Sequence, residues 1–352
     1  MRNRLALALL LAVCLLPESV FSDEVGPISD RFISLALQGD LVSASTLFER
    51  HIAEPGRMSD EALATQFQLR FIERDEDLSP NTGDEFADAV VRAYRQYWVR
   101  SLMQDLPGPE ADAYLEVSLE NALQVLGYES PHKPSESVFT AVGSALQSRG
   151  FYYLDTPAPP FRDLFLWRKQ ERNGYSVRLT DRTQKVNVVF ISEIASLGWK
   201  HFATLGLVST TGWVEDDTLY CVSWAYDRGS ENFEISYLKH ESRHLADFER
   251  FPGLESVELE YRAKLTELSF ASISTRRLLD DFSKKSTLNP QSPHGMANYR
   301  VTRDMFLEMN GEQYPEQAVS GASPWQGARV RNVNLAARAL LERNTQMLES
   351  RQ

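Results

Sequence analysis

The chain has 352 residues, 49 acidic against 37 basic, giving a net charge of −12, and 43% of its residues are hydrophobic. An acidic balance of that size argues against a nucleic-acid partner, which demands a basic face. The length supports a sizeable core, in one large domain or two smaller ones.

In chain order, the first element is an export signal. Arg2 and Arg4 precede an apolar run from Leu5 to Leu16, and Val20-Phe21-Ser22 supplies small residues for cleavage. The run is shorter than the roughly 20 apolar residues of a membrane-spanning helix. Val13 before Cys14 fits a lipid-attachment box poorly. Cleavage after Ser22 removes two positive charges (Arg2, Arg4) and one negative (Glu18), taking the net charge from −12 to −13. Cys221 is then the only cysteine, so no intramolecular disulfide is possible. The expectation is a periplasmic or secreted protein with no transmembrane segment in the mature chain.

Residues 23–150 read as a helical domain. A helical hairpin runs from Asp30 to Phe48 with its turn at Gly39. Helical periods follow over Glu61–Asp75, Asp84–Met103, Glu110–Leu126 and Glu136–Ser148. They are broken at Pro80–Gly83, Pro107–Pro109 and Pro131–Pro134. No fixed repeat period emerges, which points to an irregular bundle able to cover a cleft or bind a partner protein.

Near residue 150 the pattern turns to strands. Leu164–Lys169 and Tyr175–Leu179 flank Asn173-Gly174, a hairpin signal. Further strands are predicted at Lys185–Ser192, Thr210–Val214 and Thr218–Trp224. Cys221, Trp213 and Trp224 read as sheet packing, and His201 as a core histidine. Helices then return over Glu231–Arg250, Leu254–Leu279, Pro293–Met309 and Pro324–Leu348. The last two open on Ser292-Pro293 and Ser323-Pro324. The order, helices then a small antiparallel sheet then helices, is α+β, with a second domain over 151–352.

His240-Glu-Ser-Arg-His244 lies in the first of these C-terminal helices. Positions i and i+4 share a helix face, so the two imidazoles can converge on one zinc ion. Glu241, about 100° round the helix, can act as general base toward water there. Zinc in a catalytic site takes three protein ligands. Arg250, six residues after His244, and Asp247, three after it, do not supply the third. The next helix offers Glu255, Glu258, Glu260 and Glu267 as candidates, with small Ala263 one turn beyond Glu260. Asp247 reads as an outer partner of the histidines or a helix-surface charge.

His240-Glu-Ser-Arg-His244 followed by Glu260-Tyr-Arg-Ala263 resembles the gluzincin group of zinc metallopeptidases. The resemblance covers about residues 160–280. It implies a zincin-like domain with zinc held by His240, His244 and Glu260, and with Glu241 as catalytic base. It also implies an edge strand along the cleft that pairs with extended peptide, for which Thr218–Trp224 is the candidate. Such an enzyme needs a donor for the developing oxyanion, and His294 and Tyr299 are candidates. The implied activity is hydrolysis of peptide or protein amide bonds. The competing expectation is an exported helical scaffold that keeps a degenerate zincin domain.

Overall fold

The structure is a computed structural model describing residues 11–15, 27–52, 58–74, 78, 80–125, 137–158, 160–215, 217–289, 292–314 and 323–351. Apart from Leu11–Leu15, the expected signal sequence lies outside the described residues, as does the Pro131–Pro134 break. Helix accounts for 59% and strand for 19%, with one curled sheet, a mixed composition compatible with α+β.

Strand β1 (Leu11–Leu15) precedes helices α1 (Pro27–Leu37), α2 (Leu41–Ile52) and α3 (Met58–Phe67). A π-helical segment, Gln68–Glu73, extends α3, and α4 (Glu85–Leu102), α5 (Gly108–Val125) and α6 (Val138–Ser148) follow. The sheet strands are β2 (Tyr152–Ala158), β3 (Phe161–Arg178), β4 (Thr183–Leu197), β5 (Val208–Glu215) and β6 (Thr218–Val222), with α7 (Gly198–Ala203) between β4 and β5. A second π-helical segment, Asn232–Lys239, runs into α8 (His240–Arg250). The chain ends in α9 (Ser256–Phe270), α10 (Thr275–Lys284), α11 (Pro293–Asn310) and α12 (Val330–Glu349). The strand order is β1-β5-β6-β4-β3-β2. β2 pairs antiparallel with β3 from Tyr152↔Trp167 to Ala158↔Phe161, and β5 with β6 from Gly212↔Cys221 to Glu215↔Thr218.

Four expectations are corrected. Asn173-Gly174 is not a turn: β3 runs straight through it, and the chain reverses at residues 179–182, where Leu179 N donates to Arg182 O at 2.8 Å. That turn is anchored through Asp181, which accepts from Arg243 at 2.5 Å and from Arg250 at 3.0 Å. Tertiary anchoring has overridden the local turn signal. The expected helix Leu254–Leu279 breaks into α9 and α10 because the Glu231 carboxylate takes the N–H groups of Ser272, Ile273 and Ser274 at 2.9–3.0 Å. Ser323-Pro324 opens a turn rather than a helix. Ser323 Oγ accepts from Trp325 N at 3.2 Å, Trp325 is buried, and α12 starts only at Val330. Finally, β6 is interior, between β5 and β4, so Thr218–Trp224 is not the sheet's edge.

The chain divides into two compact units. One comprises residues 12–171 and 190–211, so the change of pattern at residue 150 falls inside it. Its core is a row of aromatic contacts: Phe32 on Phe48, Phe48 on Phe67, Phe67 on Phe71 and Phe71 on Phe202, with centroids 4.8–5.7 Å apart. The α1–α2 turn comes at Gly39, whose φ of 78° suits glycine. Arg162 grips Asp155 through two bonds of 2.6 and 2.7 Å, and Tyr94 donates to the same carboxylate at 2.7 Å.

The second unit comprises residues 172–189 and 212–352. Its core gathers Leu265, Leu268, Leu279, Val301, Met305, Trp325, Val333 and Leu341 around α9. α9 contacts α8, α11 and α12, and every residue from Leu259 to Ser269 is buried. A helix enclosed on all sides must place its polar residues against partners. The sequence puts Glu260, Arg262, Lys264 and Glu267 there, and their partners define the centre described next.

Candidate metal centre

α8 opens on His240, where π-type hydrogen bonding from Asn232 to Lys239 gives way to α-type. Such π segments occur frequently at functional sites. One turn on, His244 stacks edge-to-face against His240, with centroids 4.8 Å apart at 85°. Their Nε2 atoms stand 3.1 Å apart. From α9, the Glu260 carboxylate lies 3.6 Å from His240 Nε2 and 3.3 Å from His244 Nε2. All three side chains are buried, and their ligand atoms lie close enough together to hold one metal ion.

The donor set fits zinc. Two ligand atoms each roughly 2.0–2.1 Å from a tetrahedral zinc stand about 3.3–3.4 Å from each other; the three separations here are 3.1, 3.3 and 3.6 Å. Buried atoms around this point also lack hydrogen bonds within the protein, namely His244 Nδ1 and Glu241 Oε2, and Glu260 Oε1 has only the His244 ring nitrogen at 3.3 Å, whereas Oε2 meets His294 Nδ1 at 2.7 Å. Buried polar atoms left in that state cost stability unless something else satisfies them. A cation between the histidines would give Glu260 Oε1 a full partner.

The electrostatics point the same way. Burial pushes the His240 ring down, but the Glu267 hydrogen bond and the charges of Glu260, Glu267 and Glu241 outweigh it and raise the ring to about 9. The Glu260 carboxyl is pushed up by burial, yet His294, His244 and His240 hold it well below the usual carboxylate range. Positive charge already faces Glu260 from His294 at 2.7 Å and Lys264 Nζ at 3.6 Å, so a cation there would share that carboxylate with them.

Glu267, two turns after Glu260, holds His240 Nδ1 at 2.8 Å. This carboxylate–histidine contact fixes the ring so that Nε2 faces the cluster. Glu241 is buried, and burial raises its carboxyl despite the opposing charges of His240 and His244. Tyr237, one turn before Glu241, is buried beside Cys221 and Glu241; burial, then those two groups, hold its hydroxyl well above the usual range.

Of the predicted residues, the structure brings together His240, Glu241, His244, Glu260 and His294. His294 Nδ1 lies 2.7 Å from Glu260 Oε2, so its contact is with a candidate ligand, and 32% of its side chain stays exposed. Tyr299 is five residues further along α11, about 140° round the helix from His294, and Arg303 stands over its ring at 5.9 Å. Glu258 is committed to Arg300 at 3.0 Å and Asn344 at 2.7 Å. Asp247 is neither an outer partner of the histidines nor a surface charge. It is fully buried and takes two bonds from Arg262, at 2.7 and 2.9 Å, with Arg243 at 3.4 Å.

Two contributors were hidden from sequence reading. Glu267 was one of four glutamates open as ligands, and its seven-residue spacing from Glu260 was the available signal. Tyr237 carried none beyond its i, i+4 relation to Glu241.

No protein-family model matches the chain, and no curated protein or solved structure compared with it does either.

Proposed function

We propose that the protein is a zinc-dependent hydrolase, a gluzincin-type peptidase, with the metal held by His240, His244 and Glu260. The observation that carries this reading is Glu241, a buried carboxylate with one oxygen lacking a partner beside three buried ligand-type side chains. A metal site with a purely structural role has no use for a second carboxylate in that state.

Zinc bound there supplies Lewis acidity, polarising a carbonyl and bringing the acidity of water toward neutrality. Glu241 takes a proton from the attacking water and returns it to the departing amine. Its burial raises its basicity over an exposed glutamate, which favours accepting that proton. Glu267 holds His240 in one orientation, and His294 steadies Glu260 from α11. Among these groups His294 keeps the most exposure, so an amide bond would approach from its side.

The test is Glu241→Gln. The account expects hydrolysis of a mixed peptide library to fall by about 10²–10⁴-fold, the usual contribution of a positioned base, with metal content unchanged. Unchanged hydrolysis in this variant would remove Glu241 from the chemistry. Metal binding with no hydrolysis by either protein would favour the scaffold reading.

A further inference from the structure

Two basic side chains face the same oxygen of Glu260. His294 Nδ1 lies 2.7 Å from Oε2, and Lys264 Nζ lies 3.6 Å from it. The other oxygen, Oε1, faces His244 Nε2 at 3.3 Å. Oε2 also stands 3.6 Å from His240 Nε2, so an unheld carboxylate has both oxygens close to an ion between the histidines.

Local structure puts both groups in place. Lys264 follows Glu260 by four residues on α9, one turn along the same helix face. Only 9% of its side chain is exposed, and its Nζ lies over the Phe282 ring at 5.0 Å. His294 is the second residue of α11, and the start of that helix is tied to the preceding loop. Ser292 Oγ accepts from Gly295 N at 3.3 Å, and Gly295 O accepts from Thr287 N at 3.1 Å. A Cβ on Gly295 would fall 2.2 Å from Thr287 Cγ2, so glycine lets the loop close on this turn. A buried ammonium beside a candidate ligand oxygen opposes a cation at that position. Its presence calls for a compensating role, and the oxygen it shares with His294 indicates one.

We propose that Lys264 and His294 are positioning residues that hold Glu260 Oε2, so that Glu260 offers a metal ion Oε1 alone. A carboxylate limited to one oxygen, beside two imidazoles, suits the four-coordinate preference of zinc and leaves one position open. Cations such as manganese(II) take more oxygen ligands and gain from a carboxylate that binds through both oxygens. Lys264 and His294 therefore set which ion the site prefers, a selectivity that rests on the metal site proposed above.

The experiment compares the affinities of the full chain for zinc and for manganese(II), by competition against a chelator of known affinity. Both ions carry the same charge, so removing the Lys264 charge shifts both affinities together and leaves their ratio alone. In Lys264→Met, Oε2 is released, and the preference for zinc over manganese(II) should fall by about tenfold or more. Lys264→Arg keeps a cation at Oε2 and should retain most of the parent's preference. His294→Ala, at a partly exposed position, should lower the preference in the same direction and serves if Lys264→Met does not fold. Cobalt(II) gives a second readout. The strong visible absorption of a four-coordinate ion in the parent should weaken in Lys264→Met and His294→Ala as the coordination number rises. A ratio or a cobalt spectrum unchanged in the folded variants overturns the proposal and leaves the metal site standing. So does a Lys264→Arg variant that loses the preference as fully as Lys264→Met. A parent that binds neither zinc nor cobalt overturns the metal site itself, and this selectivity with it.

Discussion

At the scale of single residues, the proposed metal site rests on side chains that do not touch the metal position. Glu267 accepts from His240 Nδ1 at 2.8 Å, which keeps Nε2 directed at His244 and Glu260. Glu267→Gln keeps the shape and removes the charge, so zinc affinity should fall about 10–100-fold while the chain stays folded. Competition against a chelator of known affinity measures this, and an unchanged affinity would make Glu267 a packing residue only. His201 offers a second prediction. Its ring bonds Ser209 Oγ at 2.5 Å, and burial, then Arg70 and Arg95, push it down to about 4. The unfolded ring titrates near 6.5. The folded state therefore refuses a proton that the unfolded state accepts, so stability falls as pH drops from about 6.5 toward 4, and nothing is lost above. Denaturant midpoints of the parent and of His201→Asn, compared between about pH 7 and pH 5, should show a shallower fall in the variant. Equal slopes would contradict the assignment. The sequence marked His201 as a core histidine; in the structure it is half-buried, and its low pKa comes from burial of the ring together with two arginines distant in sequence.

At the scale of elements, the centre is held by a buried polar lattice among four helices. Asp247 on α8 takes two bonds from Arg262 on α9, Arg262 reaches Asn344 on α12 at 2.6 Å, and Asn344 passes to Glu258 at 2.7 Å. Glu258 then meets Arg300 on α11 at 3.0 Å. Asp247→Ala would leave Arg262 as a buried charge without its carboxylate, while Arg243 would keep Asp181 at 2.5 Å. That should cost about 3–5 kcal/mol, read as a lower midpoint of urea unfolding. A loss under about 1 kcal/mol would mean the pair is no more than a surface-type bridge. This lattice explains which parts of the site were legible. The His240–His244 spacing is local and was readable at once, because one helical turn fixes it. Choosing among Glu255, Glu258, Glu260 and Glu267 was not a local matter. It depends on which face of α9 meets α8 and which meets α11 and α12, and a helix buried on all sides has no polar face to give that away. Resemblance to a known spacing pointed to Glu260, and the geometry places Glu260, not Glu258, beside the histidines. The Asn173-Gly174 turn failed for the converse reason: a strong local signal gave way to Asp181 held by Arg243 and Arg250.

At the scale of the molecule, the helix–strand–helix order was legible from the change in hydrophobic period, and the mixed composition follows it. The partition into units was not, because strands β3 and β4 each contribute to both. The candidate centre lies wholly in the unit containing α8 to α12, and among the described residues no helix is long and apolar enough to cross a membrane. A ligand that binds only the folded state stabilises it by about 2.7 kcal/mol at a hundred times its Kd, so a zinc site should also show in thermal melts. The most direct measurement is the metal content of the purified full chain, beside His240→Ala and Glu260→Ala, each checked for folding by circular dichroism. The account predicts about one zinc per chain in the parent, a large loss in both variants, and a melting temperature that drops when zinc is chelated. A parent that binds no zinc, or zinc retained in full by both variants, would contradict it.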